Sequence, residues 1–332
     1  MTAAAEGTCN VPKLQLDEAI SRLSWSGDGS RLYIGSRGHQ HMIADLDGIR
    51  FLPSFERGVS AAAWNSDSSA LAVGSPDGHL LVDTDAGRWH VDEGGWIHDL
   101  CWSGDLLAVA SGESVAVHAR DGGLVRRYPL QPGPVMAVTW ISGTVGDLVI
   151  GTVGGLRIFD PRDASLRDPV SVSASPGAVL ALRVSPDGRA LACGDLIGDA
   201  RVLFLESDHE CDLGGFPTGV RLLSWTAPAT HLAVAGGLDL PVWEVGANDV
   251  APTPVVLSGH TADITALSTA THDDMIATGD ADGTVVVWTR TDIWRPSSPL
   301  VCRATVADIA WRPDGEVVAV GDDEGNVYFS HP

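Results

Sequence analysis

One six-residue pattern recurs eight times along the chain and restricts its fold more than any other feature. It reads apolar, two variable residues, apolar, one variable residue, then usually Trp. The copies are Ile20 to Trp25, Val59 to Trp64, Ile97 to Trp102, Val135 to Trp140, Val179 to Val184, Val220 to Trp225, Ile264 to Thr269 and Val306 to Trp311. Their last residues stand 38 to 44 positions apart. A fixed period of this size means a repeated supersecondary unit that cannot bury its apolar face alone and must stack on copies of itself.

Inside each unit the signals are those of strands: short runs with alternating apolar positions, bounded by Gly, Asp, Ser and Pro. In the unit that starts at Gly259, Ile264 to Ser268 reads as the inner strand, Met275 to Gly279 as the second and Thr284 to Trp288 as the third. The fourth falls at Leu300 to Arg303, just before the next inner strand. The Asp280 to Gly283 stretch is a tight-turn signal between the second and third strands. Four strands per period of about 40 residues predict an all-β fold, a single closed β-propeller of eight four-stranded blades, with seven as the alternative count. The last unit lacks a fourth strand after Phe329, and Lys13 to Asp17 precedes the first inner strand without a partner of its own. The N-terminal strand is therefore expected to complete the last blade, leaving residues 1–11 as a tail and 12–332 as the propeller.

The unit at Gly259 carries Gly-His, then Ala-Thr-Gly-Asp-Ala-Asp-Gly-Thr, then Val-Val-Trp-Thr. With these residues the chain resembles the WD-repeat propeller family from about Pro12 onward. The resemblance implies a buried hydrogen-bonded tetrad of His260, Thr278, Asp282 and Trp288, a structural device rather than a catalytic triad. It also implies that the face formed by the loops into the inner strands and the turns between second and third strands holds partner peptides or domains. Only this unit has the Gly-His pair in place; other third strands end in pairs such as Phe159-Asp160 or Trp243-Glu244.

Charge excludes some functions. Acidic residues number 43 against 21 basic ones, a formal net charge of −22, which repels phosphate backbones and anionic lipid surfaces. Neither nucleic acid nor membrane is an expected partner, and a basic partner is favoured. Lys13 is the only lysine in an Ala-, Gly-, Val- and Asp-rich chain, a composition that fits a bacterial source. Five widely spaced cysteines form no zinc or redox motif, and neither a leader nor a membrane-length apolar run is visible, so a cytoplasmic location is expected.

No convergent catalytic constellation stands out, no phosphate-binding loop is present, and the expected protein is a non-catalytic adaptor without a cofactor. Alternatives are an enzyme with its site at the channel mouth and a metal-handling protein using His39, His41, His79 and His98. On the predicted binding face the residues expected to meet a partner are Arg37, Trp96, His98, Met136, Leu180, Leu196, Arg221 and Leu238. Closure removes free strand edges, and repulsion between acidic copies favours a monomer.

Overall fold

The computed structural model describes residues 14–130, 133–141, 146–160, 171–207, 209–227 and 229–332, so the tail at 1–11 lies outside the described residues. Every regular element among them is a β-strand, and all strand pairs are antiparallel. None of them forms a helix long and apolar enough to cross a membrane.

Each repeated motif forms the first strand of a meander, as at Ile20–Trp25, Ile97–Ser103 and Val306–Trp311. The second strand of each unit is buried along its length, as in Leu32–Ser36, Ala70–Gly74 and Val318–Asp322, while outer strands such as Gly48–Phe51 are exposed. The second strands therefore read as continuous small apolar runs, whereas inner and outer strands both carry polar residues of partly solvated surfaces.

The strands hydrogen-bond into seven sheets, which corrects the expectation of eight separate four-stranded ones. The difference arises at the fourth and fifth motifs. There the 14-residue strand Ser171–Val184 pairs with Leu148–Phe159 through its first part and with Ala190–Asp195 through its last, so both motifs share one six-stranded sheet. The N-terminal strand Leu14–Gln15 pairs with Asn326–Ser330, Leu14 opposite Val327, and the Leu16 amide donates to the Gly325 carbonyl at 2.9 Å. The ends of the described chain thus meet in one sheet.

Two small devices fit neighbouring units together. The first is a glycine near the end of the second strand, against which the first apolar residue of the next motif packs. A Cβ at Gly74 would lie 2.5 Å from Ile97, at Gly151 2.7 Å from Val179, at Gly194 2.5 Å from Val220 and at Gly279 2.4 Å from Val306. Ala110 and Ala235 hold this position in the third and sixth units and are themselves buried. The second is the motif tryptophan, whose indole N–H, except in Trp25, donates to a main-chain carbonyl on the preceding inner strand. Trp64 bonds Ser24 at 3.0 Å, Trp102 bonds Ala63 at 3.0 Å, Trp140 bonds Cys101 at 2.9 Å, Trp225 bonds Arg183 at 2.9 Å and Trp311 bonds Ser268 at 3.2 Å. Burying the large ring supplies most of the gain, and the N–H finds the partner that a buried donor requires.

The same stacking fixes which loops share a face. The amides of Val59, Ile97, Val135, Val220 and Ile264, each opening a motif, donate to the carbonyls of Ser36, Ser75, Gly112, Asp195 and Gly237 in the turn region of the preceding unit. Loops into the inner strands and turns between second and third strands are therefore woven into a single surface around the ring.

Candidate functional site

The inner strands carry a recurrent irregularity at the motif's second residue. Register shifts between Ile20 and Arg22, Ile97 and Asp99, Val179 and Ala181, Ile264 and Ala266, and Val306 and Asp308. A bulge re-aims the side chains around it. Among residues at the motif's second position, Ser60 and Thr265 are spent on the scaffold, their hydroxyls donating to the Ile97 and Val306 carbonyls at 2.6 Å. His98, Met136, Leu180 and Arg221 make no such bond: Arg221 is exposed and the other three are half-buried.

Trp96 and His98 form the best-defined feature of this face. Their rings stack with centroids 5.4 Å apart and planes 6° from parallel, and Trp96 remains 52% exposed. Burial lowers the His98 pKa, and the Arg221 charge lowers it further. The turns at Leu196 and Leu238 present exposed apolar side chains, and Ile197 and Val153 do the same. Leu180 packs beside Gly219, which also meets the Leu196 carbonyl, placing Leu180 under the Leu196 turn. Arg37 stands apart, paired with Asp323 at 3.1 Å.

Within the ring, Asp99 and Asp308 occupy the third position of their motifs. Burial raises both pKa values, with nearby Arg183 and Arg22 acting in the opposite sense. Both carboxylates have structural duties. Asp99 accepts the amides of Leu100 and, on the next inner strand, Val138, each at 3.0 Å. Asp308 accepts those of Ile309 at 3.0 Å and Leu23 at 2.8 Å. These bonds tie neighbouring inner strands together.

The expected tetrad is assembled with one member changed. His260 Nδ1 lies 2.8 Å from Asp280 Oδ2, its Nε2 lies 2.6 Å from Thr278 Oγ1, and Trp288 Nε1 donates to that hydroxyl at 2.9 Å. Asp280 ends the buried second strand, whereas Asp282 sits out in the turn and only accepts a 3.4 Å bond from the Thr261 hydroxyl. Asp280 rather than Asp282 is the tetrad carboxylate, and with its partners hidden from solvent it is scaffold.

Four residues before the motif, where His260 stands, other units substitute different chemistry. Ser175 donates to Asp195 at 3.1 Å. Glu93 joins His118 at 2.6 Å and accepts from Arg127 at 2.7 Å. Phe216 packs edge-on against Trp243.

The four histidines weighed as metal ligands are not brought together. His39 bonds the Phe55 carbonyl, and His79 is exposed. His41 is buried between Tyr33 and Pro53, and His98 stacks on Trp96. Among the described residues the cluster with metal-binding geometry is His209, Cys211 and Asp249, which the spacing of cysteines alone did not suggest. The His-x-Cys pair on an alternating strand was the available signal.

Residues 253–289 match the family model described as WD domain, G-beta repeat. The chain is 29% identical over 105 residues to the Periodic tryptophan protein 2 homolog of Neurospora crassa, covering 31% of this chain and 11% of that protein. It is 24% identical over 152 residues to Cell division cycle 20.1, cofactor of APC complex, of Arabidopsis thaliana, covering 45% and 32%. It is 22% identical over 261 residues to the U3 small nucleolar RNA-associated protein 4 homolog of Mus musculus, covering 71% and 37%. The chain thus spans little more than a third, at most, of these relatives' lengths. Among solved structures, the C-terminal WD40 domain of Sif2 superposes with a TM-score of 0.79 at 14% identity, covering 97% of this chain and 98% of that one. A chain of the mitotic checkpoint complex superposes with a TM-score of 0.67 at 14% identity, covering 100% and 98%. These likenesses support the WD-repeat family and the β-propeller fold; the named source organisms are eukaryotes and lend no support to a bacterial origin.

Proposed function

We propose that this propeller is a non-catalytic adaptor whose woven loop face holds a protein or peptide partner. The observation that carries this reading is the exposed apolar set Trp96, Val153, Leu196, Ile197 and Leu238 on that face, accompanied by His98 and Arg221. Exposed apolar groups gathered on one rim mark interaction sites, and Trp and Arg are the residue types that most often anchor them. The relatives fit the reading: one is named as a cofactor of a complex and one matched chain belongs to a checkpoint assembly. The channel carboxylates support it from another side, since both are engaged by main-chain amides instead of being poised for proton transfer.

Further features belong to the same proposal. The net charge of −22 favours a basic partner over nucleic acid and keeps copies apart as monomers, in a cytoplasmic setting. The six-stranded sheet works as two adjoining blades, giving eight in the ring, because Gly151 meets Val179 just as Gly194 meets Val220.

The test is an affinity capture from native lysate with the intact protein and a folded Trp96→Ala, Arg221→Ala double variant, followed by titration of the captured partner once purified. The reading expects one specific partner to be lost from the variant, with affinity reduced at least about tenfold, the scale of a single anchor residue. Equal capture by both forms would place the binding surface elsewhere.

A further inference from the structure

On the outer rim, away from the proposed binding face, His209 and Cys211 stand two residues apart on the strand His209–Gly215, which sends both side chains to the same side of the sheet. Asp249 reaches them from the following unit. It lies in an ordered turn where the Gly246 amide donates to the Asp249 carbonyl, the Val250 amide donates to Asp249 Oδ1, both at 2.8 Å, and Val245 bridges Val250. Cys211 Sγ is 3.5 Å from His209 Nε2 and 4.0 Å from Asp249 Oδ1, and the three ligand atoms lie within 4.8 Å of one another.

We propose that His209, Cys211 and Asp249 form a zinc site that clips two neighbouring units together at the rim. Tetrahedral zinc with ordinary Zn–N and Zn–S bonds holds its nitrogen and sulfur ligands about 3.6 Å apart, so the imidazole and thiol already stand at the required separation. The carboxylate must close by about 0.4 Å on the sulfur and by up to about 1.5 Å on the imidazole nitrogen, a movement within reach of an exposed turn side chain. A thiolate, an imidazole and a carboxylate make a donor set suited to zinc and poorly suited to calcium or magnesium, which take oxygen ligands. A groove lined by His209, Cys211, Leu213, Trp243, Pro252 and Pro254 lies beside the cluster and would leave room for a fourth ligand.

Cys211 is also the right cysteine. Burial pushes the Cys101 and Cys193 thiols up to about 11, and Cys193 and Cys302 are enclosed in the core. Burial and the neighbouring Asp249 and Asp212 charges raise the Cys211 thiol, with the Val250 amide acting against them. Metal binding overrides such a shift by displacing the proton, so uptake of zinc releases about one proton per site near neutral pH.

The test uses the full chain stripped with a chelator and titrated with Zn(II) alone and with Co(II) alone. One equivalent is expected to bind, with a thiolate-to-cobalt charge-transfer band in the near ultraviolet and a rise in thermal midpoint on adding zinc. Cys211→Ser abolishes the band, His209→Gln and Asp249→Asn each weaken binding at least about tenfold, and the control Asp212→Asn binds within about twofold of the parent. Asp249→Asn also loses most of the thermal rise, because the link between units is cut. A band that persists in Cys211→Ser, or the absence of any stoichiometric binding while circular dichroism shows a folded chain, overturns the proposal.

Discussion

Gly321 and Ile20, separated by almost the whole described chain, are packed so closely that a Cβ on Gly321 would lie 2.5 Å from Ile20 Cγ2. The contact repeats, across the seam where the ring closes, the glycine-to-motif contact found between Gly279 and Val306 or Gly194 and Val220. The seam thus keeps the glycine contact of the other joints but not their tryptophan bond, since the Trp25 indole N–H is buried without a hydrogen-bond partner.

The first prediction follows from that contact. Gly321→Ala forces Ile20 out of its place and is expected to destabilise the protein by about 1–3 kcal/mol, the usual cost of adding a methyl to a filled core. In an Ile20→Ala background the same substitution has room and should cost much less, even though Ile20→Ala itself leaves a cavity. Chemical denaturation of the two single variants and the double variant measures the coupling. Strictly additive costs would mean that these residues do not press on each other and that the seam is held by other means.

A second prediction separates Asp280 from Asp282. Asp280 is fully buried and accepts His260, together with the amides of Asp282 at 3.0 Å and Thr284 at 2.8 Å. Asp280→Ala strands all three donors, at about 1–3 kcal/mol for each one left without a partner. Asp282→Ala removes an exposed turn carboxylate and should stay within about 0.5 kcal/mol of the parent. Urea midpoints of the two variants decide the matter, and comparable losses would return the tetrad role to Asp282.

Much of this arrangement is readable in the sequence because its causes are local. The motif's apolar positions and its Trp are the residues that pack and hydrogen-bond between units, so their rhythm reports inner strands directly. The turn residues Leu196 and Leu238 could be placed on one face because hairpin turns alternate with inner strands in a fixed order. Other features depend on geometry that letters do not carry. Asp280 and Asp282 have the same parity, and only the point where the strand ends decides which one is buried. The sharing of Ser171–Val184 between two motifs depends on a continuous ladder, while its two halves look like separate strands in sequence. His209, Cys211 and Asp249 converge across two units, a juxtaposition that a search for closely paired cysteines misses. Glu93, Ser175 and Phe216 hold the position of His260 with unrelated chemistry, so a search for Gly-His finds one unit.

The third prediction concerns acid sensitivity and His41. Its ring is 1% exposed, stacks on Phe55 at 5.0 Å, and has Nε2 2.6 Å from the Pro53 carbonyl and Nδ1 3.2 Å from the Tyr33 hydroxyl. Burial lowers its pKa below the ordinary 6.5; the Pro53 bond opposes this and the Arg88 charge adds to it. A folded-state pKa below the unfolded one means that the unfolded chain takes up a proton first as pH falls. The stability held above pH 6.5 is therefore lost progressively below that value, until the folded pKa is passed. The slope contributed by one such group cannot exceed about 1.4 kcal/mol per pH unit. Replacing the ring by Phe in His41→Phe leaves the Pro53 carbonyl and Tyr33 hydroxyl without this partner, so the variant starts out less stable at pH 7.5. Its unfolding free energy should nevertheless fall less steeply than the parent's between pH 7 and 5, since the titrating group is gone. His98 and His231 have pKa values lowered chiefly by burial and keep their own share of the slope in both proteins, so the difference between the two curves isolates His41. Parallel curves would show that His41 takes up its proton equally in the folded and unfolded chains, and that its enclosure by Phe55, Pro53 and Tyr33 does not govern its charge.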